Sequence, residues 1–117
     1  MKRILLALTL LLAPQWALAQ TRPINRNTVN SSATITSGNT FQTVLAALSN
    51  RQSLTIQNNN TNGDNCWIFV GSTSATTGTS ILLAPGGGYQ RYYPYVPSDA
   101  IQATCATTND TLYIDTN

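Results

Sequence analysis

An all-β fold, a single small antiparallel β-sandwich of jelly-roll type carrying one disulfide, is predicted by three observations on this 117-residue chain. From Ala33 onward, short runs rich in β-branched and aromatic residues alternate with clusters of Gly, Asn, Pro and Ser, the pattern of successive antiparallel strands. Threonine, asparagine and serine supply 38 of the 98 residues after Ala19, and only 9% of the chain is charged, so neutral groups must wet the surface. Two cysteines, Cys66 and Cys105, occur in a chain that opens like an exported protein, where an oxidising compartment lets them pair.

The opening residues set the compartment. Met1-Lys2-Arg3 is a short positive segment, residues 4–13 form an almost wholly apolar run, and Ala17-Leu18-Ala19 before Gln20 fits a small-x-small cleavage site. Residues 1–19 are therefore expected to be a cleaved signal peptide, which places the protein in the periplasm or outside the cell. Pro14 and Gln15 break the apolar run before the roughly 20 residues that cross a bilayer, so no membrane span is expected after cleavage. Residues 20–32, QTRPINRNTVNSS, are polar without an apolar period and read as a flexible N-terminal arm. The sandwich domain is expected over 33–117.

Eight strands are expected within it, at 33–36, 41–46, 53–58, 66–71, 80–83, 89–95, 100–105 and 111–115. One of them is ambiguous: Phe41, Val44, Leu45 and Leu48 also fall at helical spacing, but interleaved threonines and a β-branched valine favour a strand. NNNTNGDN at 58–65 and APGGG at 84–88 carry residues that tolerate left-handed backbone, and both read as hairpin loops. Neither glycine cluster precedes a helix or the Lys-Ser/Thr of a phosphate loop.

Alternation sorts the faces. Cys66, Ile68 and Val70 share one face of their strand and Trp67 and Phe69 the other. With the Cys66–Cys105 bridge inside, Ile68, Val70, Ile101 and Ala103 line the core, and Leu54, Ile56, Leu112 and Ile114 are natural companions. Trp67 and Phe69 then lie outside, where a segment of the same chain, a neighbouring subunit or a ligand must cover them.

The inventory of reactive groups is short. The chain has no histidine and no glutamate, and its one lysine, Lys2, is in the leader. After residue 19 four arginines (Arg22, Arg26, Arg51, Arg91) balance four aspartates (Asp64, Asp99, Asp110, Asp115). General acid–base and nucleophilic catalysis usually draw on the missing residue types, so no catalytic residue is expected and the protein reads as one that binds or builds. Asp110 and Asp115, five apart, alternate to opposite faces and do not form a catalytic carboxylate pair. A net charge of zero leaves no basic patch for nucleic acid. Calcium on Asp64, Asn62 and Asn65 has the right oxygen chemistry, but turn chemistry explains that loop equally well, and no metal or other cofactor is expected.

The candidate binding surface is YQRYYPYVP. Tyr89, Arg91, Tyr93 and Tyr95 alternate with Gln90, Tyr92 and Pro94, so the first four are expected on one strand face, with Trp67 as a further candidate. Tyrosines flanking an arginine suit a protein interface, and aromatic rows also stack on sugars; a structural cluster with Arg91 over a ring is the alternative. Pro94 and Pro97 put this strand at an edge or bend it. A protein partner or self-assembly is expected, with a surface glycan as the alternative partner.

RQSLTIQNNN, CWIFVGS, SILLAPGGGYQRYYPYVPSDAIQATC and TLYIDT together resemble small uncharacterised β-sandwich proteins encoded among bacteriophage and prophage structural genes. The likeness runs over residues 52–116. It implies a virion accessory role, as a decoration, head-fibre or tail-associated domain. The leader departs from that pattern, because virion proteins assemble in the cytoplasm, and an export signal points to an envelope or extracellular use of the same fold.

Overall fold

The computed structural model describes residues 29–117, with side chains from Ser31 onward; the expected signal peptide and residues 20–28 lie outside the described residues. Eight strands follow in order: β1 (Val29–Thr34), β2 (Gln42–Leu45), β3 (Ser53–Asn58), β4 (Cys66–Val70), β5 (Ile81–Leu83), β6 (Gly88–Tyr92), β7 (Ile101–Cys105) and β8 (Thr111–Thr116), with one 3-10 turn, Thr77–Thr79, between β4 and β5. They form two four-stranded sheets. Sheet A has the order β1-β8-β3-β6 and sheet B the order β2-β7-β4-β5, and every pairing is antiparallel. Interleaving of the chain between the sheets in this order is the jelly-roll arrangement of two Greek keys.

Several sequence expectations are corrected in detail. Residues 29–32, read as the end of an arm, belong to β1 and pair with β8 from Val29↔Thr116 to Thr34↔Thr111. The ambiguous segment is a strand, shortened to Gln42–Leu45 with a register shift between Thr43 and Leu45. Neither turn-rich loop closes a hairpin: 59–65 carries the chain from sheet A to sheet B, and 84–87 carries it back. Of the six pairings only β4–β5 joins strands adjacent in sequence. Turn residues report a change of direction, and they do so equally well when the chain crosses between layers.

The core lies between the sheets, where the alternation placed it. Leu54 and Ile56 from β3, Ile68 from β4, Leu83 from β5, Ile101 and Ala103 from β7, and Leu112 and Ile114 from β8 are buried, together with Ile35 and the two cysteines. Val70 is half-buried at its rim. Cys66 and Cys105 are directly opposed on β4 and β7 and form the expected disulfide, with Cα atoms 4.0 Å apart. The bridge therefore ties neighbouring strands of one sheet and does not cross between layers. Closing a loop of 39 residues constrains the unfolded chain by about 4 kcal/mol on chain-entropy grounds.

Loops gather at the two ends of the sandwich. At one end 35–41, 59–65, 84–87 and 106–110 meet, tied by Ile35 N–H to Asp110 C=O at 2.9 Å, Asn39 N–H to Cys105 C=O at 2.8 Å and Gly86 N–H to Asn58 C=O at 2.9 Å. Gly38 is required there, because a Cβ would sit 2.9 Å from the Ala106 carbonyl oxygen. At the other end 46–52, 71–80 and 93–100 meet, through Leu48 N–H to Ser98 C=O and Gly71 N–H to Ala100 C=O, both 2.8 Å. No helix among the described residues is long and apolar enough to cross a membrane.

Candidate functional site

The tyrosine segment is divided by the structure into two parts. β6 is an edge strand of sheet A, as Pro94 and Pro97 just beyond it led one to expect, and pairs only with β3. In the register Leu54↔Arg91 and Ile56↔Tyr89, Tyr89 and Arg91 share the inward face with two core residues. Tyr89 is half-buried against the core, and the exposed Arg91 guanidinium lies 4.6 Å from its ring centroid. That is the cation–π pair. It makes these two residues a rim of the core, which overturns the expectation that Tyr89, Arg91, Tyr93 and Tyr95 share one presented face.

The strand ends at Tyr92, because Pro94 has no N–H to continue the ladder. Tyr93 and Tyr95 lie in the turn that follows, which contains a cis Tyr93–Pro94 bond. Tyr93 N–H donates to Gln52 C=O at 2.8 Å and Tyr95 N–H donates to Tyr92 C=O at 2.9 Å. Tyr92, which alternation assigned away from the binding face, is 61% exposed, Tyr93 56% and Tyr95 82%. Three rings within four residues therefore stand in solvent at one corner of the sandwich. Trp67 is on the outer face of sheet B, half-buried, opposite Leu82 on one neighbouring strand and Thr104 on the other. It does not join the tyrosine turn in a single surface.

What steadies this corner is Arg51, which no motif or periodicity in the chain singles out. Its side chain is buried. One Nη donates to the carbonyls of Pro97 and Asp99, and the other to Ala46 C=O at 2.8 Å. One guanidinium thus fastens the β2–β3 loop to the β6–β7 loop that holds the tyrosines. Burial lowers its pKa from the ordinary arginine value and the Asp99 charge opposes that shift; arginine remains a cation in proteins. Arginine's planar fork is suited to collecting several carbonyls at once.

The opposite end is built from amides. The buried Asn58 donates to Asp64 C=O at 2.8 Å and Leu83 C=O at 2.9 Å and accepts Asn60 N–H. Asn60 accepts Thr111 N–H at 2.7 Å and points its amide at Cys66 Sγ, 3.3 Å away. Asn62 donates to both Asp64 Oδ2 at 2.9 Å and the buried Asp110 Oδ1 at 2.8 Å, and accepts Asp64 N–H. Thr107 N–H supplies Asp110 with a further donor. The one carboxylate considered for calcium, Asp64, thus receives an amide donor from Asn62, and Asn65 enters this network through its carbonyl, bonded by Ala106 N–H. Cys66, Cys105 and Asp110 place ligand atoms within 4.8 Å of one another, yet both sulfurs belong to the disulfide and offer no thiolate.

No ligand-sized cavity opens among the described residues, so the chemistry available to a partner is that of surfaces: the tyrosine turn and the outer face of sheet B. Comparison of the chain with protein-family models, with curated proteins and with solved structures finds no match.

Proposed function

We propose that this is a non-enzymatic, exported structural or binding module that engages a protein partner through the turn bearing Tyr92, Tyr93 and Tyr95, in the manner of a virion accessory protein of the decoration or fibre-associated kind. The observation that carries the reading is the exposure of Tyr92, Tyr93 and Tyr95 on a turn whose backbone is bonded to Gln52, just before β3, and to itself. Rings held in place lose little freedom on binding, and tyrosine brings large contact area with a hydroxyl that stays wet. The Arg51 clamp adds to that rigidity by fixing the loop beyond the turn. Neutral composition supports a partner recognised by shape and aromatic contact in place of phosphate charge. Jelly rolls serve both capsid and lectin roles, and fold alone does not choose between them.

The test compares wild type with a Tyr92→Ser/Tyr95→Ser variant in two assays, co-sedimentation with purified phage particles and an array of plant, bacterial and chitin-like glycans. Wild type retained on particles, with the variant lost, is the expected result. Binding on the array that disappears in the same variant replaces this reading with a secreted glycan-binding module. Absence of binding in both assays overturns the tyrosine turn as a recognition surface.

A further inference from the structure

The loop 59–65 carries a dipeptide whose chemistry its hydrogen bonds do not exhaust. Asn62 is the only asparagine of the chain that is followed by glycine. The side-chain carbonyl carbon of an asparagine is within reach of the next backbone nitrogen, and attack by that nitrogen closes a five-membered ring. Most residues shield the nitrogen with their own side chain, and glycine has none.

Both reacting groups are accessible in the fold. Asn62 and Gly63 are exposed. The Gly63 N–H takes part in no hydrogen bond among the described residues. Gly63 has a φ of 90°, a conformation glycine adopts freely, and nothing lies within 4 Å of where a Cβ would stand. Asn62 Oδ1 accepts Asp64 N–H at 3.1 Å. This Asx turn closes a ring whose members include both Asn62 Cγ and the Gly63 nitrogen, so the side chain is folded back along the peptide that attacks it. The same N–H points at the oxygen on which negative charge develops during the attack, as an oxyanion donor does.

The amide also holds two loops together. Asn62 Nδ2 donates to Asp64 Oδ2 at 2.9 Å and to the buried Asp110 Oδ1 at 2.8 Å, tying 59–65 to 106–110. These bonds exist because the group between the two carboxylates is a donor. A carboxylate in its place would face two others without a cation beside them, since Arg51 works at the other end of the sandwich and Arg91 lies over Tyr89 on β6.

We propose that Asn62–Gly63 is a self-modification site, at which the folded protein loses ammonia with age and unfastens its amide end. The Gly63 nitrogen gives its proton to solvent and bonds to Asn62 Cγ. The Cγ–Nδ2 bond breaks, and the nitrogen leaves as ammonia with a proton taken from solvent. Water then opens the resulting succinimide at either of its carbonyls, giving aspartate on an ordinary backbone or isoaspartate on a lengthened one. Either product puts a carboxylate where a donor stood, so Asp64 and Asp110 each lose a hydrogen bond and gain a like charge as neighbour. The sheets and the disulfide take no part in the step. The inference is independent of the tyrosine turn, which stands at the opposite end of the sandwich.

Ageing the purified protein at mildly alkaline pH tests this, read by peptide mass mapping and by isoaspartate-specific methylation. Conversion is expected at residue 62 of the folded protein ahead of every other asparagine, and is expected to be lost in Gly63→Ala. The aged protein should melt lower by about 8 °C or more and become open to protease cleavage within 59–65. Asn62→Asp, which carries the product charge from the start, should show a shift larger than that of Asn62→Ala, which removes the donor alone. Should Gly63→Ala fail to melt cooperatively, Asn62→Gln decides in its place: its longer side chain closes the ring slowly, and it should age without opening. An Asn62 that converts in urea but keeps its amide in the folded protein overturns the proposal, because the network would then be its protection. So does conversion that leaves melting and protease resistance unchanged, or a deciding variant that ages as wild type does.

Discussion

The two ends of the sandwich solve the same problem by different means. Each must hold irregular loops whose backbone groups have no ladder to join. At one end, Asn58, Asn60, Asn62 and Asp110 share the work, with a disulfide directly beneath. At the other, a single guanidinium collects three carbonyls from two loops. Distributed short side chains make an end that is dense and inward-looking. At the end where one long side chain joins the β2–β3 loop to the β6–β7 loop, the exposed tyrosines stand. The amide end also uses asparagine for backbone geometry, since Asn39 and Asn109 adopt left-handed φ of 58° and 71°, a region asparagine enters more readily than most residues.

This contrast can be broken experimentally. The largest effect is expected from Arg51→Ala, which strips three carbonyl oxygens of their donor and leaves a cavity: about 3–5 kcal/mol of stability should be lost, read as a fall in the urea midpoint. A loss below about 1 kcal/mol would mean that the tyrosine end is held by something other than the clamp. Next comes Cys66→Ala/Cys105→Ala, expected to cost about 2–4 kcal/mol. For a domain of this size each kcal/mol lowers the melting temperature by roughly 4–8 °C, so calorimetry resolves it easily.

Asn62→Ala should cost only about 1 kcal/mol, because Asp110 keeps Thr107 N–H and neighbouring amides hold the loop. A penalty equal to that of Arg51→Ala would erase the distinction between shared and concentrated support. The smallest change is expected from Tyr95→Ser, within about 0.5 kcal/mol in stability; equilibrium unfolding showing a larger loss would recast Tyr95 as a packing residue.

The strands and the core were legible in the sequence because they rest on local rules. β-branched runs bounded by turn residues located seven of the eight strands and the last two residues of β1, and alternation named Leu54, Ile56, Ile68, Ile101, Ala103, Leu112 and Ile114 as the interior. The cysteine pair was legible from its number and from the export expected of the leader. Harder to read was connectivity, since NNNTNGDN has identical turn chemistry whether it joins two strands of one sheet or crosses between layers. The tyrosine surface was half legible: the period of two holds only while a strand continues, and beyond Tyr92 the chain turns, so parity assigned Tyr92 to the wrong side and grouped Tyr93 and Tyr95 with Tyr89 and Arg91. Arg51 was opaque. Flanked by Asn50 and Gln52, it has no apolar periodicity to announce burial, and its acceptors are backbone oxygens near 46 and 97–99, which no side-chain pattern reveals.

The position of β8 has a consequence for how the molecule is made. It lies between β1 and β3, so Val29 meets Thr116 and Leu54 meets that same residue from the other side. Until residues 111–116 have emerged from the ribosome, sheet A lacks its centre and β1 has nowhere to attach. With five of six pairings linking distant parts of the chain, folding must wait for assembly of the whole, at the slow pace of non-local topologies. A nascent chain so built stays open until its last strand is in place.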